Sequence, residues 1–174
     1  TSVQDSTWIE RVLQIAEDSL DRAPVMVASA MGKTTDALAA VAELAADGEA
    51  DAAHERIDAL WRHHSETLRS LVGDTEDITV LGLDESPFQR IERLFQELRA
   101  LVRGMILIRE CTARTQDALL SFGELLSTTV IAAAAGSRGI PAQLLDSRSF
   151  IVTDQHFTAA NPVLEATTER VRKL

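Results

Sequence analysis

The residues with the clearest chemical potential lie in one short stretch, residues 25–36, with the sequence VMVASAMGKTTD. It predicts a buried strand, a loop of small residues and the start of a helix, and open α/β sheets bind ligands at such turns. The hydroxyl groups of Ser29, Thr34 and Thr35 and the N–H groups at the helix start could together hold an anion. Equally, Thr34 or Thr35 could simply cap the helix.

The triplet Gly32-Lys33-Thr34 is similar to the end of a phosphate-binding P-loop. That motif needs another glycine five positions before its second one, and the residue at that position is Val27. We therefore exclude a P-loop, and Lys33 is most simply interpreted as a solvated surface lysine.

A second candidate group is the carboxylate of Glu124, which follows Gly123 in an otherwise apolar stretch. A carboxylate placed there could bind an ammonium group or act as a base, or it could be an ordinary exposed helical glutamate. Glycine inside a helix costs up to about 1 kcal/mol relative to alanine. The position of Gly123 therefore predicts a kink, a helix start or the close approach of a ligand.

The composition argues against several classes of function. The net charge is -10, whereas a nucleic-acid-binding protein usually carries a basic surface. Cys111 is the only cysteine, which excludes an intrachain disulfide and is consistent with a cytoplasmic protein. The adjacent His63 and His64 point about 100° apart on a helix and are expected at the surface, not as a metal pair. No metal is therefore expected. No unbroken apolar run reaches the roughly 18 residues of a membrane span, so no membrane partner is expected either.

Apolar periodicity places the elements that would position these groups. The predicted order is a helix at 6–22, a strand at 25–28, a helix at 34–46, two antiparallel helices at 50–72 and 88–110, a helix at 115–135, short strands at 141–146 and 150–153, and a helix at 163–173. The sequence therefore predicts an α/β fold with a helical insertion.

Four segments, in the same order, resemble the aspartokinases. Residues 27–36 resemble the family's strand, Ser-Ala, small loop and Thr-Asp segment, and FGELLS at 122–127 resembles its Phe-Gly-Glu-x-Leu-Ser motif. Residues 139–154 resemble the stretch that follows in the family. Thr1-Ser2-Val3 is similar to the end of the family's opening Lys-Phe-Gly-Gly-Thr-Ser-Val motif.

This resemblance implies a three-layer α/β/α sandwich of the amino-acid kinase type, incomplete over residues 1–174, with a helical insertion at about 50–112. It implies transfer of the γ-phosphoryl group of MgATP to the β-carboxylate of L-aspartate. The product would be 4-phospho-L-aspartate, formed in the first step towards lysine, threonine, methionine and isoleucine.

Positions matched to the family's motifs imply the site residues. Ser29 and Ala30 would line the aspartate site, Thr35 would bind the substrate, and Glu124 would receive the substrate's α-ammonium group. A fixed carboxylate suits such a compact cation.

The resemblance also implies groups at the phosphoryl end, where Thr1 and Ser2 would lie near the transferring phosphoryl group. The family's opening lysine, its two glycines and its Gly-Arg-Gly-Gly-Ser-Asp segment are not in this sequence, so no catalytic residue is assigned and most of the ATP site is expected outside it. Phosphoryl transfer depends on charge stabilisation and positioning, so a polypeptide of these 174 residues alone is expected to be inactive.

The expected partners are L-aspartate and ATP, and a homodimer is one expected assembly. Two alternatives stay open at this point: another amino-acid kinase with a different acidic or carbamoyl-type substrate, and a diverged non-catalytic module that binds a metabolite or a partner protein.

Overall fold

The computed structural model describes residues 5–74 and 78–174. The predictions for Thr1 and Ser2 lie outside this part of the chain. Seven α-helices are found within it: α1 Ser6–Glu17, α2 Thr34–Asp47, α3 Ala50–Val72, α4 Pro87–Ile108, α5 Ala113–Leu120, α6 Phe122–Ser137 and α7 Leu164–Val171. Two single-turn 3-10 helices, Leu20–Arg22 and Ser147–Ser149, lie between them.

Side chains that precede α1 and α4 cap the first turns of these two helices. The Asp5 side chain accepts a hydrogen bond from the Trp8 backbone N–H at 3.2 Å and so caps α1. At the start of α4, the side chain of Ser86 accepts from the Gln89 N–H at 3.2 Å, and the Gln89 side chain accepts from the Ser86 N–H at 3.0 Å. Pro87 is the first residue of α4, where its missing N–H is not needed.

Helix α6 is the central element of the core. Its buried residues lie on every side of the helix, from Phe122 through Leu126 and Val130 to the alanines at 132–135. Helices α1 to α5 all contact it. The alanines present a small surface, which lets neighbouring helices approach closely.

Helices α3 and α4 pack side by side and run in opposite directions, as predicted. Arg99 on α4 donates to Asp58 on α3 at 2.9 Å, and Trp61, further along α3, donates to Glu92, earlier on α4, at 3.0 Å. Both helices also contact α2 and α6, so they form part of the same core.

The predicted strands do not form a sheet in the part of the chain that the structure describes. Residues 25–28 are unpaired, and the side chains of Val25 and Val27 are 88% and 91% exposed. The predicted strand at 141–146 is reduced to one parallel bridge between Leu81 and Gln143, and that at 150–153 to one antiparallel bridge from Thr153. A strand becomes stable only beside further strands with a packed face. The three-layer sandwich therefore stays a prediction.

Two helix predictions are corrected in their details. The first helix ends at Glu17, not at residue 22, and its buried residues are Ile9 and Leu13. On the same helix the apolar side chains of Trp8 and Ile15 are 41% and 61% exposed. Packing against the rest of the protein therefore buries only part of the apolar surface of α1.

The expected helix at 115–135 is two helices, α5 and α6, which meet at Ser121. The Ser121 N–H bonds to the Asp117 carbonyl oxygen at 3.1 Å, and the Ser121 carbonyl oxygen accepts from the Leu125 N–H at 3.2 Å. Both bonds have the i to i−4 spacing of an α-helix, so α5 leads directly into α6, and the junction at Ser121 lies two residues before Gly123.

The prediction that the histidines lie at the surface is wrong for His64, which is fully buried in α3. Its Nδ1 atom lies 2.8 Å from the Leu60 carbonyl oxygen, so Nδ1 carries the proton and donates. Its Nε2 atom is buried without a hydrogen-bond partner among the described residues. Burial lowers the pKa of His64 to about 4.

One helical stretch, Ala113–Ser137, is long and apolar enough to cross a membrane by length and composition alone. Because 72% of its most apolar window is buried inside the protein, it has the character of a core helix. Among the described residues, no group of three or more His, Cys, Asp or Glu side chains could hold a metal ion.

Candidate functional site

The candidate site lies where the loop before α2 meets the first turn of α6. The backbone N–H of Ala30 donates a hydrogen bond to the Glu124 carboxylate, with 3.1 Å between nitrogen and Oε1. These residues are 94 positions apart in sequence. The fold therefore brings together two of the residues that the sequence singled out.

The loop is held in place from its own side by residues just before α2. Met31 is fully buried, and its carbonyl oxygen accepts hydrogen bonds from the Thr34 hydroxyl at 2.6 Å and from the Thr34 N–H at 3.0 Å. Gly32 adopts φ +55°, a left-handed conformation that glycine tolerates without strain. The turn therefore has a defined shape.

These contacts bear on the capping alternative for α2. The Thr34 hydroxyl donates backwards to a carbonyl oxygen, whereas a cap must accept from an N–H group of the helix. The residue at the cap position is Lys33, which makes no side-chain capping bond. The start of α2 thus has no side-chain cap, an arrangement that suits an anion.

Gly123 is the residue that allows the loop to come so close to α6. A Cβ atom built on Gly123 would lie 2.7 Å from the Ala30 Cβ, a distance that real Cβ atoms do not show. A close approach does occur at Gly123, but it is made by the protein's own loop before α2, whereas the predicted approach was that of a ligand.

The Glu124 side chain is exposed, in line with one of the two alternatives for it. The Ala30 N–H orients the carboxylate through Oε1, and this is the one hydrogen bond to the carboxylate within the described residues. An exposed, oriented carboxylate with an oxygen facing solvent can bind a cation by a charge-assisted hydrogen bond.

The remaining predicted residues flank this contact. Ser29 immediately precedes Ala30, Thr35 lies in the first turn of α2, and both are exposed, as is Lys33. Their hydroxyl and ammonium groups are therefore accessible to a small molecule. The structure places Ala30 and Glu124 in direct contact, and the substrate-binding roles of Ser29, Ala30, Thr35 and Glu124 all stay predictions.

Two supporting residues were missed by the reasoning from sequence. Met31 was treated only as part of a small-residue loop, but it anchors that loop in the core. Thr34 was treated as a ligand or a cap, but its hydroxyl is committed within the turn. The sequence offered a hint only for Met31, as the one large apolar residue in the loop.

A separate cleft of about 390 Å³ lies between residues 82–85, α4 and residues 144–146. Its charged groups pair with one another: Arg93 donates to Glu85 at 2.8 Å and also to Glu97, which raises the pKa of Arg93. These ion pairs account for the convergence of Arg93, Glu85 and Glu97 at the cleft.

The chain is similar in sequence to two plant aspartokinases. Aspartokinase 1, chloroplastic, from Arabidopsis thaliana is 35% identical over 171 residues, which cover 94% of this chain and 27% of that protein. Aspartokinase 2, chloroplastic, from the same plant is 33% identical over 177 residues, which cover 99% of this chain and 30% of that protein. No family model matches the chain.

Solved structures of an aspartokinase are also similar to this chain. The crystal structure of E. coli aspartokinase III in complex with aspartate and ADP is similar with a TM-score of 0.79 and 28% identity, over 99% of this chain and 35% of that one. The structure of the same enzyme with lysine and aspartate is similar to the same degree. The chain thus spans about 27% to 30% of the length of the two plant relatives and about a third of the E. coli chain.

Proposed function

We propose that this chain, a relative of the aspartokinases over nearly its whole length, forms the aspartate-binding part of an aspartate kinase. The observation that carries the proposal is the hydrogen bond from the Ala30 N–H to Glu124. It joins two of the four segments that carry the resemblance, residues 27–36 and 122–127, in one site. Binding of aspartate and ADP by the E. coli neighbour supports the choice of substrate and nucleotide.

The proposed reaction moves the γ-phosphoryl group of MgATP to the β-carboxylate of L-aspartate and gives 4-phospho-L-aspartate. It would be a first step in the biosynthesis of lysine, threonine and methionine. A cytoplasmic location is proposed only from the sequence, and the plant relatives are named as chloroplastic.

Each group of the site has a proposed task. Glu124, oriented by Ala30, binds the α-ammonium group of aspartate. The Ser29 and Thr35 hydroxyls and the positive end of the α2 dipole bind a carboxylate of the same molecule. These contacts fix the substrate's position, and a defined position is the main contribution that a protein makes to phosphoryl transfer.

The decisive experiment is Glu124→Gln in the full-length gene product, with aspartate and ATP varied in turn. The amide oxygen of glutamine can still accept from the Ala30 N–H, so the substitution removes the charge and keeps the shape. Loss of a hydrogen bond between charged groups is worth about 1.5–3 kcal/mol. The KM for aspartate should therefore rise about tenfold to a hundredfold, while the KM for ATP stays within about twofold.

The matched control is Glu43→Gln, an exposed glutamate near the far end of α2. It should leave both KM values unchanged. Equal increases in the two KM values for Glu124→Gln would count against its role at the ammonium group. Thr35→Val should have a smaller effect in the same direction.

A separate measurement addresses the 174-residue polypeptide by itself. We propose that it binds L-aspartate in calorimetric titration but does not turn over with MgATP. Turnover at ordinary kinase rates would overturn the second part of this statement.

A further inference from the structure

We propose that Gly123 is a positioning residue for substrate binding, and that Gly123 and Ala30 form a complementary pair in which there is room for one methyl group only. The inference rests on the proposed function, because it concerns how Glu124 is oriented towards the substrate's ammonium group. Its physical basis is the contact between the loop before α2 and the first turn of α6.

The space between the two backbones is filled by the Ala30 methyl group. A Cβ atom on Gly123 would lie 2.7 Å from the Ala30 Cβ, whereas its next neighbours, Thr34 Cγ2 and Leu38 Cδ1, would lie at 3.6 and 3.7 Å. The last two distances are ordinary van der Waals contacts. The obstacle to a side chain at position 123 is therefore the Ala30 methyl group alone.

Neither side of this contact can move away at low cost. Ala30 is 3% exposed and is followed by the fully buried Met31, so the loop is fixed in the core. On the opposite side, Phe122 and Gly123 are buried at the start of α6. Because packed interiors resist small displacements, a methyl group added at position 123 must separate the Ala30 N–H from the Glu124 carboxylate.

That separation would weaken substrate binding, because it would change the orientation of the Glu124 carboxylate. The carboxylate is exposed and its side chain is flexible, and the Ala30 N–H is what holds it in one orientation. A misplacement of about 1 Å in a binding group can reduce reactivity by two orders of magnitude. Gly123 therefore acts on the substrate without touching it.

The complementarity suggests an exchange experiment with four variants of the chain: Gly123→Ala, Ala30→Gly, the double exchange of both, and Gly104→Ala as the matched control. Gly104 is also a helical glycine, but a Cβ atom there would meet nothing within 4 Å. The control thus carries the same gain in helix propensity without the collision.

Two quantities are measured on each variant: protection of the residue-30 amide against hydrogen exchange by NMR, and the affinity for L-aspartate by calorimetric titration. Gly123→Ala should lose most of the amide protection and bind aspartate at least about tenfold more weakly. The double exchange should recover both quantities to within about threefold of the wild-type values. Gly104→Ala should change neither.

The outcomes are distinct. If Gly123→Ala keeps both its amide protection and its affinity, or if the double exchange fails to recover what Gly123→Ala loses, the proposal is wrong. If Gly123→Ala does not fold, recovery of folding and affinity in the double exchange supports it, and failure of that variant overturns it. A wild-type chain that binds no aspartate would instead overturn the proposed function, while the amide measurement would still test the contact itself.

Discussion

The molecule has two regions of very different character. The helical body, helices α2 to α6, encloses side chains such as Leu38, Phe95 and Leu98, all fully buried. The mostly extended segments, residues 23–29, 78–83 and 140–163, bury Ile78, Val80 and Ile140 but expose other apolar side chains, including Val27 at 91%. A helix satisfies its backbone hydrogen bonds internally, whereas an extended segment needs a neighbouring strand. The helical body therefore satisfies its backbone hydrogen bonds within the described residues, whereas the extended segments lack neighbouring strands there.

The candidate site lies at the border between the two regions. Ala30, which is 3% exposed, lies only three positions after the exposed Val27. The position of the loop is determined on the side of the helical body, by Met31 in the core and by the contacts with Gly123 and Glu124. The site residues therefore have a defined geometry although the neighbouring predicted strand does not pair.

The largest expected effect compares one leucine from each region. Leu98→Ala in α4 should lower the free energy of unfolding by about 2–5 kcal/mol, because it leaves a cavity in the core. Leu81→Ala, at a position that is 61% exposed in the extended segment 78–83, should cost less than about 1 kcal/mol. Chemical denaturation of both variants gives the two values. Equal losses of unfolding free energy would show that the helical body and the extended segments do not differ in packing.

A second effect concerns acid stability and comes from His64 inside the helical body. Its pKa is lowered to about 4 in the folded protein by burial, against 6.5 in the unfolded chain. Between these values the unfolded state binds more protons, so stability falls as the pH drops from 6.5 towards 4 and is unaffected above that window. The loss amounts to about 3 kcal/mol when the window has been crossed.

The matched variants for this effect are His64→Leu and His63→Gln. His64→Leu should remove most of the decline in stability between pH 6.5 and 4, measured by denaturation at several pH values. His63 is exposed, so His63→Gln should keep the decline. A decline that survives in His64→Leu would show that other groups cause the acid sensitivity.

The helices could be predicted from sequence because the residue patterns that determine them are local in the chain. Helix α3 was predicted at 50–72 and lies at Ala50–Val72, and α2 was predicted at 34–46 and ends only one residue later. Amphipathic spacing and the glycine at position 48, with φ +81°, are sufficient for this. Which face of α1 is buried was not predictable, because that depends on its neighbours.

The strands and the burial of His64 depend on distant parts of the molecule. An apolar run such as 25–28 has strand propensity, but whether it pairs is decided by whether another strand lies beside it. His64 was placed at the surface because, next to His63, it lacks the spacing of a metal-binding pair, yet its ring packs against Phe95 on α4, with ring centroids 5.9 Å apart. Tertiary packing outweighed the local sequence pattern in both cases.

The candidate site was predictable in part. The resemblance pointed to Ala30 and Glu124, and the cost of a glycine in a helix pointed to a close approach at Gly123. That the loop itself makes this approach, 94 positions away in sequence, could only be learned from the fold. The roles of Ser29, Ala30, Thr35 and Glu124 in substrate binding stay predictions until that binding is measured.

A third effect tests whether the extended segments are held at all. Gly82 adopts φ +91°, and a Cβ atom there would collide with the Leu144 carbonyl oxygen. Gly82→Ala should cost about 2 kcal/mol through backbone strain and collision. Gly139→Ala, with φ +70° and open space around it, carries the strain alone and should cost about 1 kcal/mol. If the two losses are equal by denaturation, the contact between segments 78–83 and 140–163 contributes nothing.

The smallest effect contrasts two helix starts, one inside the helical body and one at the site. Ser86→Ala removes the capping box of α4 and should cost about 1 kcal/mol. Lys33→Ala at the start of α2 should change stability by less than about 0.5 kcal/mol, because Lys33 makes no capping bond. Hydrogen exchange on adding L-aspartate sharpens the contrast: amides in the first turn of α2 should become protected and those of α4 should not. Equal protection of both helix starts would mean that aspartate stabilises the whole chain and does not bind at the α2 terminus.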